Sequence, residues 1–505
     1  MLPDRPRLLQ LSSNNVGILI ALAIFIVLNP VFWAHEAPYA PIASVYAQSP
    51  SATPYVTLFD FQSSGLTTTP FVLLPLSDKT VWVDADKFGP PFSSQIINFT
   101  IGAPPKIVLN TTASISSLIA DKHGRIWIAA QNLIYYDTFT KKIYNVTAFP
   151  GGFPQYMAID GNDHLWVTLV NSNSIGMYDL STNQTAAYPV PTANAILQGI
   201  TVGFDGTIWF AEASTGKLGH LSPKSCTPSS CNIDEYGPPS PMTLRSPVQV
   251  ATDPSGRVWF TNHGDNEFGW FNPQTGDWRA LPIGYCPDNC NVGLPNAIFY
   301  SNGYIWFSEH FAGRIARYDP NTGMLTEYNI PGTRYVYAWW AAPGTGNLVW
   351  FASFGLGAIG YVNASVPVAM SISSTQASVS IQRGSSRNIP IVVSSGVDES
   401  ITLGVQGTTQ DSYQNAPALI SDTSQLSLTR SNNPKTTSVA MSATWTATEG
   451  PRYVALTATN GQVSVSVHVK VVIVGYVLPF LVLGTVSIIT VGGIVLWIRS
   501  KKPKI

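Results

Sequence analysis

The chain has 505 residues, with 27 basic and 28 acidic side chains and a formal net charge of -1; it lacks the global positive field of a nucleic-acid binder. Charged residues are 11% against 45% hydrophobic, and mean hydropathy is +0.13, which excludes an intrinsically disordered chain. Four Cys are too few for a disulfide-dense scaffold.

Residues 1–47 read as a secretory signal. Arg5 and Arg7 precede an uncharged, mostly apolar run from Val16 to Leu28, stopped by Asn29-Pro30. That run suits a signal h-region and is short for a bilayer span of roughly 20 residues. Val45-Tyr46-Ala47 offers a cleavage site after Ala47. An uncleaved signal anchor from Val16 to Ala34 is the other reading.

Residues 52–365 repeat. A Trp preceded by Ile, Val or Leu recurs at Trp82, Trp127, Trp166, Trp209, Trp259, Trp306 and Trp350, at intervals of 39 to 50 residues. Gly124, Gly206, Gly256 and Gly303 stand three residues before the Trp, and Gly176, Gly219, Gly269 and Gly360 ten after it. The unit reads as a four-stranded sheet: a strand, a Gly hairpin turn, the Trp strand, then two more. One such sheet cannot bury both faces alone, whereas seven packed radially can, which predicts a seven-bladed β-propeller. The glycine ten residues after the Trp predicts close approach of a neighbouring blade. The seventh copy lacks a fourth strand, and Tyr55 to Phe61 is a strand without a blade. Pairing the two closes the ring and removes its exposed edges.

The Cys fall in close pairs, Cys226/Cys231 and Cys286/Cys290. Two local disulfides fit an oxidising compartment; a two-plus-two zinc set is the rival. Asn98, Asn110, Asn145, Asn183 and Asn363 head glycosylation sequons.

Residues 366–472 lose the Trp-Gly repeat and alternate, as in Val463-Ser464-Val465-Ser466-Val467-His468-Val469. They predict an immunoglobulin-like β-sandwich without a core disulfide, serving as a stalk. Gly475 to Ile498 carries no charge and as a helix would span about 36 Å, enough for a bilayer core. Residues 475–498 therefore read as a transmembrane helix. Arg499, Lys501, Lys502 and Lys504 make 499–505 a basic cytoplasmic tail. The fold class is all-β apart from this span, with propeller and sandwich extracellular.

Asp205-Gly206-Thr207-Ile208-Trp209-Phe210-Ala211-Glu212, Ser301-Asn302-Gly303-Tyr304-Ile305-Trp306-Phe307-Ser308-Glu309 and Arg314-Ile315-Ala316-Arg317-Tyr318-Asp319-Pro320 resemble the virginiamycin B lyase family, whose members inactivate streptogramins. The resemblance covers roughly residues 52–365. It implies a seven-bladed fold and a Mg-type lyase, with catalytic His in the first strands of blades six and seven and a Glu after the last Trp-Phe pair. Here Pro295-Asn296-Ala297-Ile298 has Asn in the His place. The seventh copy, Tyr335-Val336-Tyr337-Ala338-Trp339-Trp340, has no His, and Trp350-Phe351 is followed by Ala352, Ser353 and Phe354.

Repeat positions just after each Trp compare groups at one depth of a propeller. There, polar and ionisable residues gather in copies four to six: Glu212, Asn262, His263, Glu309 and His310. His263, Glu309 and His310 are the candidate catalytic groups. Glu212 and Glu309 are the candidate ligands for Mg or Ca. Glu212, Asn262, Asn296, Tyr337 and Trp339 are candidate ligand-binding groups, the aromatics as a stacking wall. Two functions follow as expectations. One is a membrane-tethered module binding a small molecule, glycan or envelope protein at its channel mouth. The other is a metal-dependent lyase or hydrolase on a relocated site.

Overall fold

The computed structural model describes residues 53–475, except 62–65, 67, 88–92, 147, 150–151, 287–292, 333–335, 408–418, 422 and 430. The N-terminal signal, the C-terminal span and its basic tail lie outside the described residues. Among the described residues no helix is long and apolar enough to cross a membrane.

Seven four-stranded antiparallel blades occupy 69–111, 117–146, 154–189, 197–236, 247–282, 295–329 and 338–363, the last completed by strand Val56–Asp60. That strand pairs with Ala358–Asn363, Val56 opposite Val362 and Asp60 opposite Ala358. The first strands of adjacent blades touch in a closed ring, so the wheel is shut by the N-terminal strand.

The recurrent Trp lies in the second strand of every blade, with side chains 0–4% exposed. Each second strand is walled by a neighbouring blade, and seven apolar clusters fill the seven blade-to-blade gaps. Three of the four third-strand glycines have a different cause from the expected neighbouring blade, while Gly176 is also approached by Phe149 from the segment between blades 2 and 3. Gly219, Gly269 and Gly360 face Phe210, Phe260 and Phe351 of their own blade's second strand, and a Cβ there would strike the aromatic ring.

In three blades an Asp six residues before the Trp organises the turn: Asp121, Asp160 and Asp253. Asp253 Oδ2 accepts from Trp259 Nε1 at 2.7 Å and Arg257 Nε at 2.8 Å, and Oδ1 accepts from Ser255 N at 2.9 Å. Asp253 is 2% exposed. Asp253→Ala strands a buried indole N–H and is expected to cost about 2–3 kcal/mol, seen as a lower urea midpoint at unchanged slope.

Two further sheets follow. Met370–Ser374, Ser386–Ser395, Lys435–Ala443 and Leu419–Ser421 form one. Ser378–Gln382, Val463–Val474, Gly450–Thr459, Glu399–Gln406 and Ser424–Leu428 form the other. They share a core that includes Ile372, Ile381, Ile391, Leu403, Met441 and Leu456.

The sandwich is joined to the propeller by more than its linker. Val463–Val474 pairs with the outer strand of blade 6, Met324–Asn329, placing Met324 opposite Val467 and Tyr328 opposite Val463. Farther along the same edge it pairs in parallel with Ser378–Gln382. Blade 6 and one sandwich sheet are thus a single nine-stranded sheet. Tyr285 N donates to Thr457 Oγ1 at 2.8 Å, and the His468 ring bonds the Pro282 carbonyl at 2.7 Å.

Cys226 and Cys231 are disulfide-bonded, which overturns the zinc reading for that pair. Cys286 is also disulfide-bonded; Cys290 lies outside the described residues. Of the sequon residues, Asn110, Asn145 and Asn183 are exposed, and Asn98 and Asn363 are half-buried.

Candidate functional site

Most first strands carry a bulge where they reach the axis, as between Pro70 and Val72, Pro154 and Met157, Pro295 and Ile298, and Ala338 and Trp340. A bulge turns one extra side chain toward the axis. The side chains at or next to these irregularities include Phe71, Gln155, Tyr156, Asn296, Trp339 and Trp340.

Blade 7 fills the mouth. Trp340 packs against apolar clusters on several sides of the wheel and stacks on Tyr156 of blade 3, with centroids 6.0 Å apart and planes 4° apart. Tyr337 adopts φ +50° and stacks on Phe354 at 4.7 Å, which in turn stacks on Phe71 at 5.2 Å. Asn296 is 4% exposed and donates from Nδ2 to the Trp339 carbonyl at 2.7 Å. It fixes the aromatic run. Tyr335 lies outside the described residues.

His263 and His310 come together, their rings 5.9 Å apart. The His263 ring bonds the Pro295 carbonyl through Nδ1 at 3.1 Å. His310 meets the edge of Trp339 at 4.7 Å, and neither of its nitrogens has a hydrogen-bond partner. Burial pushes His263 down to about 4 and His310 down to about 3, the latter helped by His263. Both rings are neutral at pH 7, and neither titrates where a general base works best.

The other candidates do not converge with them. Glu212, Asn262 and Glu309 each end a second strand and are fully buried, tied into their own blades rather than lining the mouth. Glu212 Oε2 accepts from Thr215 Oγ1 at 2.7 Å, and burial pushes its carboxyl up to about 7. Asn262 Nδ2 donates to Asp265 and Glu267 at 3.0 and 3.2 Å. Glu309 Oε2 accepts from Arg314 Nε at 2.6 Å, and Arg314 also bridges to Glu327 at 3.1 Å. Burial pushes Glu309 well above the ordinary carboxylate range, with Arg314 opposing.

These carboxyls do not fit the divalent cation that the family resemblance implies. Glu309 already has the Arg314 cation on its Oε2, and Glu212, in another blade, is tied to Thr215. Among the described residues no group of three or more His, Cys, Asp or Glu is placed to hold a metal ion.

A second group was not singled out by the alignment of repeats. Asp84 and Asp86 lie on one face of the second strand of blade 1, 0% and 7% exposed. Ser94 Oγ donates to Asp84 Oδ1, while Asp84 Oδ2 and Asp86 Oδ1 are buried without a hydrogen-bond partner. Two residues after the Trp, the other blades carry Ala, Ser or Thr; Asp84 is the exception, and that comparison would have found it. Burial pushes Asp86 up to about 7 and Asp84 up as well, the latter also through repulsion from Asp86.

The sign of this effect is testable. The folded chain holds the Asp86 proton from about pH 4 to about 7, while the unfolded chain has released it. Stability therefore falls as pH rises through that window. Asp86→Asn is expected to stabilise the chain by up to about 4 kcal/mol at pH 8 and by almost nothing at pH 4, read from urea unfolding at the two pH values.

A ring of seven four-stranded blades, with bulged first strands crowding one mouth, defines a seven-bladed β-propeller. Residues 102–284 match the model of the Virginiamycin B lyase family. A solved streptogramin B lyase is 23% identical, with TM-score 0.51 over 61% of this chain and 97% of that one. A catalytically inactive virginiamycin B lyase from Staphylococcus aureus, solved with quinupristin, is 22% identical, with TM-score 0.51 over 61% and 98%. No curated protein matches the chain. The chain carries a virginiamycin B lyase-like β-propeller.

Proposed function

We propose that the chain is a membrane-anchored, extracellular propeller that holds a small molecule, a glycan or an envelope partner at its channel mouth, without lyase chemistry. The observation that carries this reading is the Asn296 amide, locked on the Trp339 carbonyl in the place where the family resemblance implies a catalytic His. The neighbouring His263 and His310 are held neutral far below pH 7. What remains at the mouth is a wall of Phe71, Tyr156, Tyr337, Trp339 and Trp340 with buried amides and carboxyls, a surface suited to recognition. The immunoglobulin-like sandwich, the C-terminal span and glycosylation at the exposed Asn110, Asn145 and Asn183 complete the proposal.

Incubating the full-length chain with quinupristin and Mg²⁺ tests it by chromatography. The reading expects quinupristin to be recovered unchanged. Mg²⁺-dependent conversion that disappears in His310→Ala would replace it with the lyase reading.

A further inference from the structure

A small, partly enclosed cavity of about 20 Å³ lies between blades 1, 2, 3 and 7. Its walls are Phe71, Val72, Asp86, Ser114, Ile115, Ser116, Tyr156 and Trp339. Three aromatic side chains stand on its sides, and one carboxyl stands among them. Asp86 is 7% exposed and its Oδ1 accepts no hydrogen bond. Asp84, on the same strand face, lies behind it, fully buried and outside the cavity wall, with its Oδ2 also unbonded. Among the described residues no Lys or Arg is a cause of either carboxyl's shift.

We propose that this cavity binds a primary alkylammonium group, with Asp86 as its counter-ion and Phe71, Tyr156 and Trp339 as its walls. This deepens the binding reading above and rests on it.

Ser94 hydrogen-bonds both carboxyls, but a buried carboxylate with one oxygen left bare is unstable in a low-dielectric site, and a cation is the group that relieves it. The aromatic walls decide which cation. A hard divalent ion takes six or more oxygen ligands, which these walls do not supply. Ring faces instead attract an organic cation. The three N–H donors of a primary ammonium match the bare Asp86 oxygen and the Ser114 and Ser116 hydroxyls. A quaternary ammonium has no such donors and would leave Asp86 Oδ1 unbonded. Such a group can come from a free amine, an amino sugar or a lysyl side chain; the chemistry recognised is the same.

The test is calorimetric titration of the full-length chain at pH 8, where an alkylammonium keeps its charge. The probes are n-butylammonium, 6-amino-6-deoxyglucose and N-acetyl-Gly-Lys-Gly-amide, with 1-butanol as the neutral isostere of the first and tetramethylammonium as the donor-free cation. At least one of the three amines is expected to bind at least 10-fold more tightly than 1-butanol and tetramethylammonium, and the tightest of them identifies the source. Asp86→Asn is expected to weaken that binding at least 10-fold while raising stability at this pH, which separates lost binding from lost folding. Trp339→Leu is expected to weaken it too and provides the second variant if Asp86→Asn does not fold. Equal binding of butylammonium and 1-butanol, or amine binding unchanged in Asp86→Asn, overturns the ammonium assignment and leaves a mouth that binds neutral ligands. Absence of heat from every amine also overturns it. A neutral ligand whose binding is lost in Trp339→Leu would show the broader binding reading surviving that failure.

Discussion

A chain lacking residues 53–61 is expected to lose most of its stability and to aggregate. Strand Val56–Asp60 is the fourth strand of blade 7, supplied from the other end of the propeller. Its removal withdraws Val56 and Phe61, 1% and 0% exposed, and the Phe59 ring that stacks on Trp350 at 5.9 Å. At about 1.5–3 kcal/mol for each large apolar side chain, this costs roughly 5–8 kcal/mol, comparable with the whole stability of an ordinary domain. It also bares the backbone of Ala358–Asn363 as an edge strand, an invitation to pair with another chain. Light scattering and the yield of folded chain measure the effect. Phe61→Ala is the graded version and is expected to cost about 3–5 kcal/mol.

Arg314→Met is the second large effect. Arg314 is 1% exposed between Glu309 and Glu327, both fully buried. It also donates to the carbonyls of Gly284 and Tyr285 at 3.0 and 3.2 Å. Removing the cation leaves two carboxyls facing each other without compensation, at a cost of about 3–5 kcal/mol. The loss is expected to be largest at high pH and to shrink on acidification, as the stranded carboxyls take up protons. Adding Glu309→Gln and Glu327→Gln to Arg314→Met is expected to recover part of it, since the site then holds no uncompensated charge. Urea unfolding of the original chain, the single variant and the triple variant at pH 5 and pH 8 separates the charge effect from lost packing. Glu327 lies on the strand that pairs with the sandwich, opposite Ser464, so the damage reaches the junction.

The wheel was legible because its repeat is an energetic necessity. A blade walled on both sides needs a large apolar residue at a fixed strand position, and seven Trp mark it. Closure by residues 55–61 was legible too, since one blade lacked a strand and one strand lacked a blade. Docking of the sandwich on blade 6 was not. Strand pairing uses backbone groups that every residue carries, so Met324–Asn329 and Val463–Val474 bear no mark of each other. The candidate site was legible in part. Alignment on the Trp found His263 and His310, which meet. It also grouped Glu212, Asn262 and Glu309 with them, because alternation along a strand gives the face of a side chain and not its depth. In a strand walled on both sides a polar residue is as easily a buried hub as a mouth group. Asp86 does not stand out in the sequence, because Asp84, which makes the pair unusual, sits two residues after the Trp, one step before the positions where the ionisable residues gather.

The central structural claim is that propeller and sandwich are one body, with the mouth held by a frame that includes blade 6. Hydrogen–deuterium exchange on the full-length chain tests it most directly. The account predicts that the amides of Met324–Asn329 and of residues 463–467 in strand Val463–Val474 are protected alike and open together under increasing urea. Rapid exchange of 463–467 while Arg314–Tyr318, the inner neighbour of Met324–Asn329 in blade 6, stays protected would contradict it.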